Sequence, residues 1–238
     1  MGRWWQAVLL VAVTGCGLLQ EPTVVRTQRV TDEQGLPESA LSHPRTMAYA
    51  RRLCAKMASR TATALGIVPS RPILPRLEAI LVEHGLPREL VAVPAVESKY
   101  QAYARGGHGE LGIWQLRPAT ARRFGLEVNA RNDERVHLDG STRAAARYLA
   151  FLYARYGDWP LALAAYNAGE GRIDRALARR PGATYWELAE RGALPAISRE
   201  YVPRILAVVR VTASPTSCHD AAAVEATRAR AATPERTI

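Results

Sequence analysis

The chain has 238 residues, 48% of them hydrophobic, which is material for one domain with extensions and too apolar for a wholly disordered polymer. Its formal charge of +10 rests on 32 basic residues, all arginine except Lys56 and Lys99, against 22 acidic ones. The arginines are spread through the helical segments, so a solvated basic surface is expected and a dedicated nucleic-acid face is not.

The first segment carries Arg3, an apolar run from Ala7 to Val13, and then Val13-Thr14-Gly15-Cys16. That run is too short for a bilayer, which takes about twenty residues, and it reads as a secretory signal over 1–15. Val-Thr-Gly-Cys resembles a bacterial lipobox, in which cleavage leaves Cys16 as the lipidated first residue; the other reading is an ordinary export signal with an incidental cysteine. The expected location is periplasmic, with a lipid anchor in a bacterial membrane, the outer one favoured. Cys54 and Cys218 remain, and in an oxidising compartment they either pair or stay as two buried thiols.

Residues 16–70 read as a tether followed by a helix. The stretch 17–43 is polar, with Pro22, Gly35 and Pro37, and is expected to hold little fixed structure. Met47, Ala50, Cys54, Met57, Ala58 and Leu65 have amphipathic spacing over 45–65, with Gly66 and Pro69 as stops.

The domain proper, 71–213, reads as all helix. Leu74, Leu77, Ile80 and Leu81 share one face, stopped by Gly85. Pro87 opens the next helix, which runs to Glu97 with a kink expected at Pro94. Pro118 opens a short helix ending near Phe124-Gly125. Ser141 is expected to cap a long one that stops at Gly157, and Pro160 opens another leading into Tyr166-Asn167. Helices follow around 172–179 and 184–191, and Ser198 is expected to cap the last, through Val211. No alternating strand pattern appears. Residues 214–238, rich in Ala, Thr and Arg, read as a flexible tail.

Chemistry gathers around Glu97, a carboxylate closing an apolar helix with Leu90, Val91, Val93, Pro94 and Val96 upstream. Cleaving a glycosidic bond needs a carboxylic acid that keeps its proton near neutral pH, and apolar burial is how a glutamate gets there. The plain alternative is a solvated helix-end residue.

Glu97-Ser98-Lys99-Tyr100, Gly112-Ile113-Trp114-Gln115 with Pro118, Thr120 and Ala121, and Ala165-Tyr166-Asn167-Ala168-Gly169 occur in that order. Further on lie Gly157-Asp158-Trp159, Tyr185-Trp186 and Tyr201-Val202-Pro203. Together they resemble the lytic transglycosylases of the lysozyme-like superfamily over about residues 71–212. Trp114 stands where other groups often carry Met, which brings the chain nearest the membrane-bound lytic murein transglycosylase D group.

The resemblance implies an all-α, lysozyme-like domain with a catalytic cleft, acting on peptidoglycan glycan strands without cofactor or metal. The implied reaction uses one carboxylate: Glu97 protonates the oxygen between muramic acid and glucosamine, and then takes the proton of the C6 hydroxyl as it closes a 1,6-anhydro ring. Gln115, Tyr166, Asn167 and Tyr201 are implied cleft residues, with the Tyr166 phenol near the carboxyl and the Asn167 amide towards the acetamido group. Ser98 either bonds near the carboxyl or caps its helix, and Trp114 either stacks on sugar or, the favoured reading, fills core.

Two departures stand out. Gly106, Gly109 and Glu110 occupy the family's Ser-x-x-Gly-Ala, bringing in a second carboxylate that is either a solvated loop residue or within reach of the cleft. Ile197-Ser198 replaces a Glu-Thr pair, removing one polar contact to glycan. The rival readings are a hydrolytic muramidase with Glu110 activating water, and a non-catalytic wall-binding lipoprotein. The five histidines are scattered and no Gly-rich loop joins a strand to a helix, so metal and nucleotide signatures are absent.

Overall fold

The computed structural model describes residues 35–58, 72–213 and Cys218. The signal segment, Cys16, the tether up to residue 34 and the rest of the tail lie outside them. Within the described residues the fold is all helical: α1 (Glu38–Leu41), α2 (Pro44–Ala58), α3 (Leu74–Glu83), α4 (Ala92–Glu97), α5 (Pro118–Arg123), α6 (Leu138–Tyr156), α7 (Trp159–Ala168), α8 (Glu170–Arg179), α9 (Tyr185–Glu190) and α10 (Ala196–Ala213). Extended pairing among them is confined to isolated bridges, Arg105–Leu111, Leu111–Leu116 and Val128–Asp133. No helix there is long and apolar enough to cross a membrane.

The core is centred on α7, whose residues from Trp159 to Ala165 are all buried. Four alanines in that helix let α6, α8 and α10 approach it closely, while Leu161 and Leu163 fill the gaps. Each leucine so buried contributes about 1.5–3 kcal/mol over an exposed one. Helix α7 is positioned by Asp158, whose carboxylate accepts the Leu161 N–H at 2.7 Å, and by Pro160 in the first turn, where its missing N–H costs nothing. Thr184 and Glu187 close a capping box at the start of α9.

The structure departs from the sequence reading in four places. Residues 35–43 are not tether: α1 forms, Leu36 and Ala40 enter the core, and the Thr46 hydroxyl donates to the Ala40 carbonyl at 2.9 Å. The segment leading to Glu97 is two elements, a 3-10 turn over Arg88–Val91 and then α4. Pro94 falls in the first turn of α4, whose N–H groups have no helical partner anyway, so the break precedes the proline. Ser141 does not cap α6. The helix starts at Leu138, and the Ser141 hydroxyl reaches back to the His137 carbonyl at 2.7 Å. Ser198 does not cap α10 either; it lies inside the helix, with its hydroxyl spent on Asn167.

Of the two states left open for the cysteines, a bridge or two buried thiols, the structure has the bridge: Cys54 is joined to Cys218, with Cα atoms 5.3 Å apart. It fastens α2 to the chain beyond α10, along a seam where Ala50, Cys54, Ala207 and Val211 are buried together.

Candidate active site

Glu97 is the last residue of α4, and the backbone turns sharply after it. Lys99 and Tyr100 both take left-handed conformations (φ 54° and 61°), unfavourable for side chains of that size by about 1–3 kcal/mol each. Local bonds hold the turn. The Tyr100 N–H donates to the Pro94 carbonyl at 3.3 Å and its phenol to the Val91 carbonyl at 2.9 Å. The buried Ser98 hydroxyl is 2.9 Å from the Ile113 carbonyl and 3.2 Å from that of Pro94. Ser98 thus ties the end of α4 to the Gly-Ile-Trp-Gln segment and is not among the cleft-lining residues.

That segment is fixed from below. Arg135, buried and paired with Asp133 at 2.7 Å, donates to the carbonyls of Gly109 and Leu116 at 2.7 and 2.9 Å. Gly112 has φ +84° and lies so close to the Arg135 carbonyl that a Cβ would stand 2.1 Å from its oxygen. Only glycine fits there. Trp114 is fully buried with its indole N–H on the Thr142 hydroxyl at 2.9 Å, so it is core and not a sugar platform. Its carbonyl accepts the Tyr166 phenol at 2.7 Å. Gln115 is also left-handed (φ 47°), and its amide nitrogen donates to the Ala104 and Gly112 carbonyls at 2.9 and 2.7 Å.

These elements surround a cleft of about 440 Å³ lined by Glu97, Gln115, Tyr166 and Asn167 together with Glu110 and Glu170. Tyr201 sits buried behind Glu97, and its phenol donates to Glu97 Oε1 at 2.5 Å. The phenol bonded to the carboxyl is therefore that of Tyr201, whereas Tyr166 holds the Trp114 carbonyl and feels Glu97 through its charge. Asn167 accepts the Ser198 hydroxyl on Oδ1 at 2.7 Å, which fixes its amide. Ile197, strongly exposed, stands on the cleft wall.

The three cleft carboxylates differ in kind. Burial pushes the Glu97 carboxyl up to about 7, against the opposing pull of the Tyr201 hydrogen bond and with a further push from the Glu110 charge. Burial also pushes Glu110 up, but hydrogen bonds from its own N–H, the His108 N–H and Arg117 outweigh it and hold the group below the ordinary carboxylate range. Glu170 is likewise held low, burial being outweighed by its own N–H, Arg123 and Tyr148. Both carry a guanidinium partner, Arg117 Nε at 2.9 Å and Arg123 Nη1 at 2.7 Å. Burial and the neighbouring Glu97 charge keep the Tyr201 phenol far above its usual range, so it remains a donor. Among the described residues no cluster of three or more His, Cys, Asp or Glu could hold a metal ion.

Of the residues expected at the substrate from sequence, Glu97, Gln115, Tyr166 and Asn167 line one cleft, whereas Ser98 and Tyr201 are buried and do not line it. Sequence reasoning missed Glu170, although the carboxylate directly follows Gly169, the residue at which the backbone turns into α8. Residue Cys16 lies outside the described residues.

Residues 77–189 match the family model of the Transglycosylase SLT domain. The chain is 38% identical over 131 residues to the membrane-bound lytic murein transglycosylase D of Escherichia coli K12, covering 53% of this chain and 28% of that one. It is 38% identical over 109 residues to a putative tributyltin chloride resistance protein of Alteromonas sp. strain M-1, covering 45% of this chain and 53% of the relative. The match thus spans little more than a quarter of the E. coli relative and about half of the Alteromonas one. A solved structure it resembles is an inactive mutant of the lytic transglycosylase Slt from Pseudomonas aeruginosa, at 28% identity and a TM-score of 0.49, over 59% of this chain and 23% of that one.

Proposed function

Since residues 77–189 match the family model of the Transglycosylase SLT domain, we propose that the chain cleaves the β-1,4 bond between muramic acid and glucosamine in peptidoglycan, leaving 1,6-anhydro ends, with Glu97 as sole acid and base. The observation that carries this is the contrast among the cleft carboxylates: Glu97 alone lacks a cationic partner and has its proton held to about pH 7, while Glu110 and Glu170 are fixed to arginines.

Glu97 Oε1 accepts the Tyr201 phenol, leaving Oε2 as the oxygen that delivers the proton. Protonation of the bridging oxygen breaks the bond to C1 of the muramic acid, and the substrate's own acetamido oxygen steadies the positive charge that develops there. Glu97, now ionised and stabilised by Tyr201, accepts the C6 hydroxyl proton as that oxygen bonds to C1. One proton leaves the acid and one returns, so the enzyme ends as it began. The nucleophile belongs to the substrate, which gives it a high effective concentration and removes the need to position a water. Gln115, Tyr166 and Asn167 hold the sugar against the acid, and Ser98 and Tyr201 hold the acid in place. Ion-paired Glu110 is poorly placed to serve as a water-activating base, which disfavours the muramidase reading. Analysis of the ends made from purified glycan strands tests the proposal.

The proposed location rests on the N-terminal sequence. Cys16 is proposed as the lipidated residue of an exported protein held at a membrane, the outer one favoured, and the Cys54–Cys218 bridge suits an oxidising compartment. The E. coli relative is itself named membrane-bound.

A further inference from the structure

In the loop from Arg105 to Leu116 the structure makes two positions, Gly106 and Glu110, one feature. The loop folds back on itself, with the Gly106 N–H donating to the Glu110 carbonyl at 2.9 Å. A Cβ at residue 106 would stand 2.5 Å from Glu110 Oε2, 2.8 Å from the Glu110 Cβ and 3.0 Å from Gln115 Oε1. The missing side chain of Gly106 is thus the space in which the Glu110 carboxylate sits.

The carboxylate is anchored there: Oε2 accepts the His108 N–H at 2.8 Å and Oε1 accepts Arg117 Nε at 2.9 Å. Gln115 is oriented just as firmly, because both bonds of its amide nitrogen go to backbone carbonyls. Its Oε1 therefore faces the same spot over Gly106, takes no donor from the described residues and is not buried. Two acceptor oxygens, one of them ionised, converge within the cleft that holds Glu97.

We propose that Glu110 and Gln115 form a donor-binding subsite over Gly106 that takes the amide N–H of an N-acetylated sugar, making Glu110 a specificity-determining residue. It rests on the glycan reading above. An ionised acceptor favours such a donor more strongly than a neutral one, and an unpaired acceptor beside it penalises a ligand that brings no donor. The cleft would thereby discriminate between sugars at a point other than the acid itself.

The test is kcat and KM on purified glycan strands for wild type, Glu110→Ala, Gly106→Ala and the double variant, with melting curves to establish folding. Glu110→Ala should raise KM about tenfold or more while kcat stays within about threefold, the signature of lost binding that is equal in ground and transition states. Gly106→Ala leaves the carboxylate chemically intact and only displaces it, so KM should rise there too, and in the double variant the two effects should not add. An unchanged KM in Glu110→Ala, or full additivity in the double variant, overturns the subsite. Should wild type cut nothing, the reaction proposal falls instead, and the subsite is then read from binding of an N-acetylglucosamine tetramer. There, Glu110→Ala should weaken binding about tenfold, and equal binding overturns it.

Discussion

The phenol of Tyr201 donates to Oε1 of Glu97 at 2.5 Å across 104 positions of sequence, joining α10 to the end of α4. This bond opposes the rise in proton affinity that burial imposes on Glu97. The result is an acid near neutrality that is still able to ionise, as a group serving first as acid and then as base must be.

Replacing Tyr201 by Phe removes that opposing pull. The Glu97 carboxyl should then titrate above its present value, and the basic limb of the kcat/KM profile should move to higher pH. The maximal rate should fall about tenfold, because the ionised form awaiting the C6 proton loses its donor. A basic limb that stays in place would show that Tyr201 does not act through Glu97.

Glu97→Gln keeps the shape but cannot exchange a proton, so activity should drop by about 10²–10⁴-fold or more with the fold intact. Stability should respond as well. The native carboxyl binds its proton more tightly than the unfolded chain does, so its contribution is intact below about pH 4.5 and is lost as pH rises to about 7. Above that the ionised group costs up to about 3 kcal/mol. Melting curves should show Glu97→Gln matching wild type near pH 4 and exceeding it at pH 8. A difference that does not grow with pH would mean that burial of the charge is not what raises the group.

The bridge between Cys54 and Cys218 should withstand alkylation of the unreduced protein. Cys54→Ser should lower stability by about 2–4 kcal/mol, read in denaturant titrations, and the loss should disappear when wild type is measured in reductant. Turnover of the folded variant should change little, since the bridge lies on the seam between α2 and α10 and neither cysteine lines the cleft.

For the anchor, labelled fatty acid should enter wild type and not Cys16→Ala, which should accumulate as precursor or soluble protein. Label in the variant, together with membrane fractionation, would remove the lipobox reading.

Much of this was written locally. Glu97, Gln115 and Tyr166-Asn167 sit in short motifs, and Pro118, Pro160, Gly85 and Gly157 mark element boundaries through backbone rules that need no tertiary context. What stayed illegible depends on contacts between distant segments. Ser141 and Ser198 have the composition of caps, yet one bonds back to His137 and the other crosses to Asn167. Polar flanks hid the burial of Leu36 and Ala40, and nothing near Tyr201 says that its phenol meets Glu97. Glu170 escaped notice because its cleft position depends on the turn at Gly169 and on Arg123 from α5.

The central claim is one carboxylate and an internal nucleophile, and the fragment ends report on it directly. Purified glycan strands should be digested with the soluble form and the products weighed before and after borohydride treatment. Each cut should give a 1,6-anhydro muramyl end, one water lighter than a hydrolytic product and inert to borohydride. Muramic acid ends that are all reducible would contradict the claim, even with Glu97 confirmed as essential.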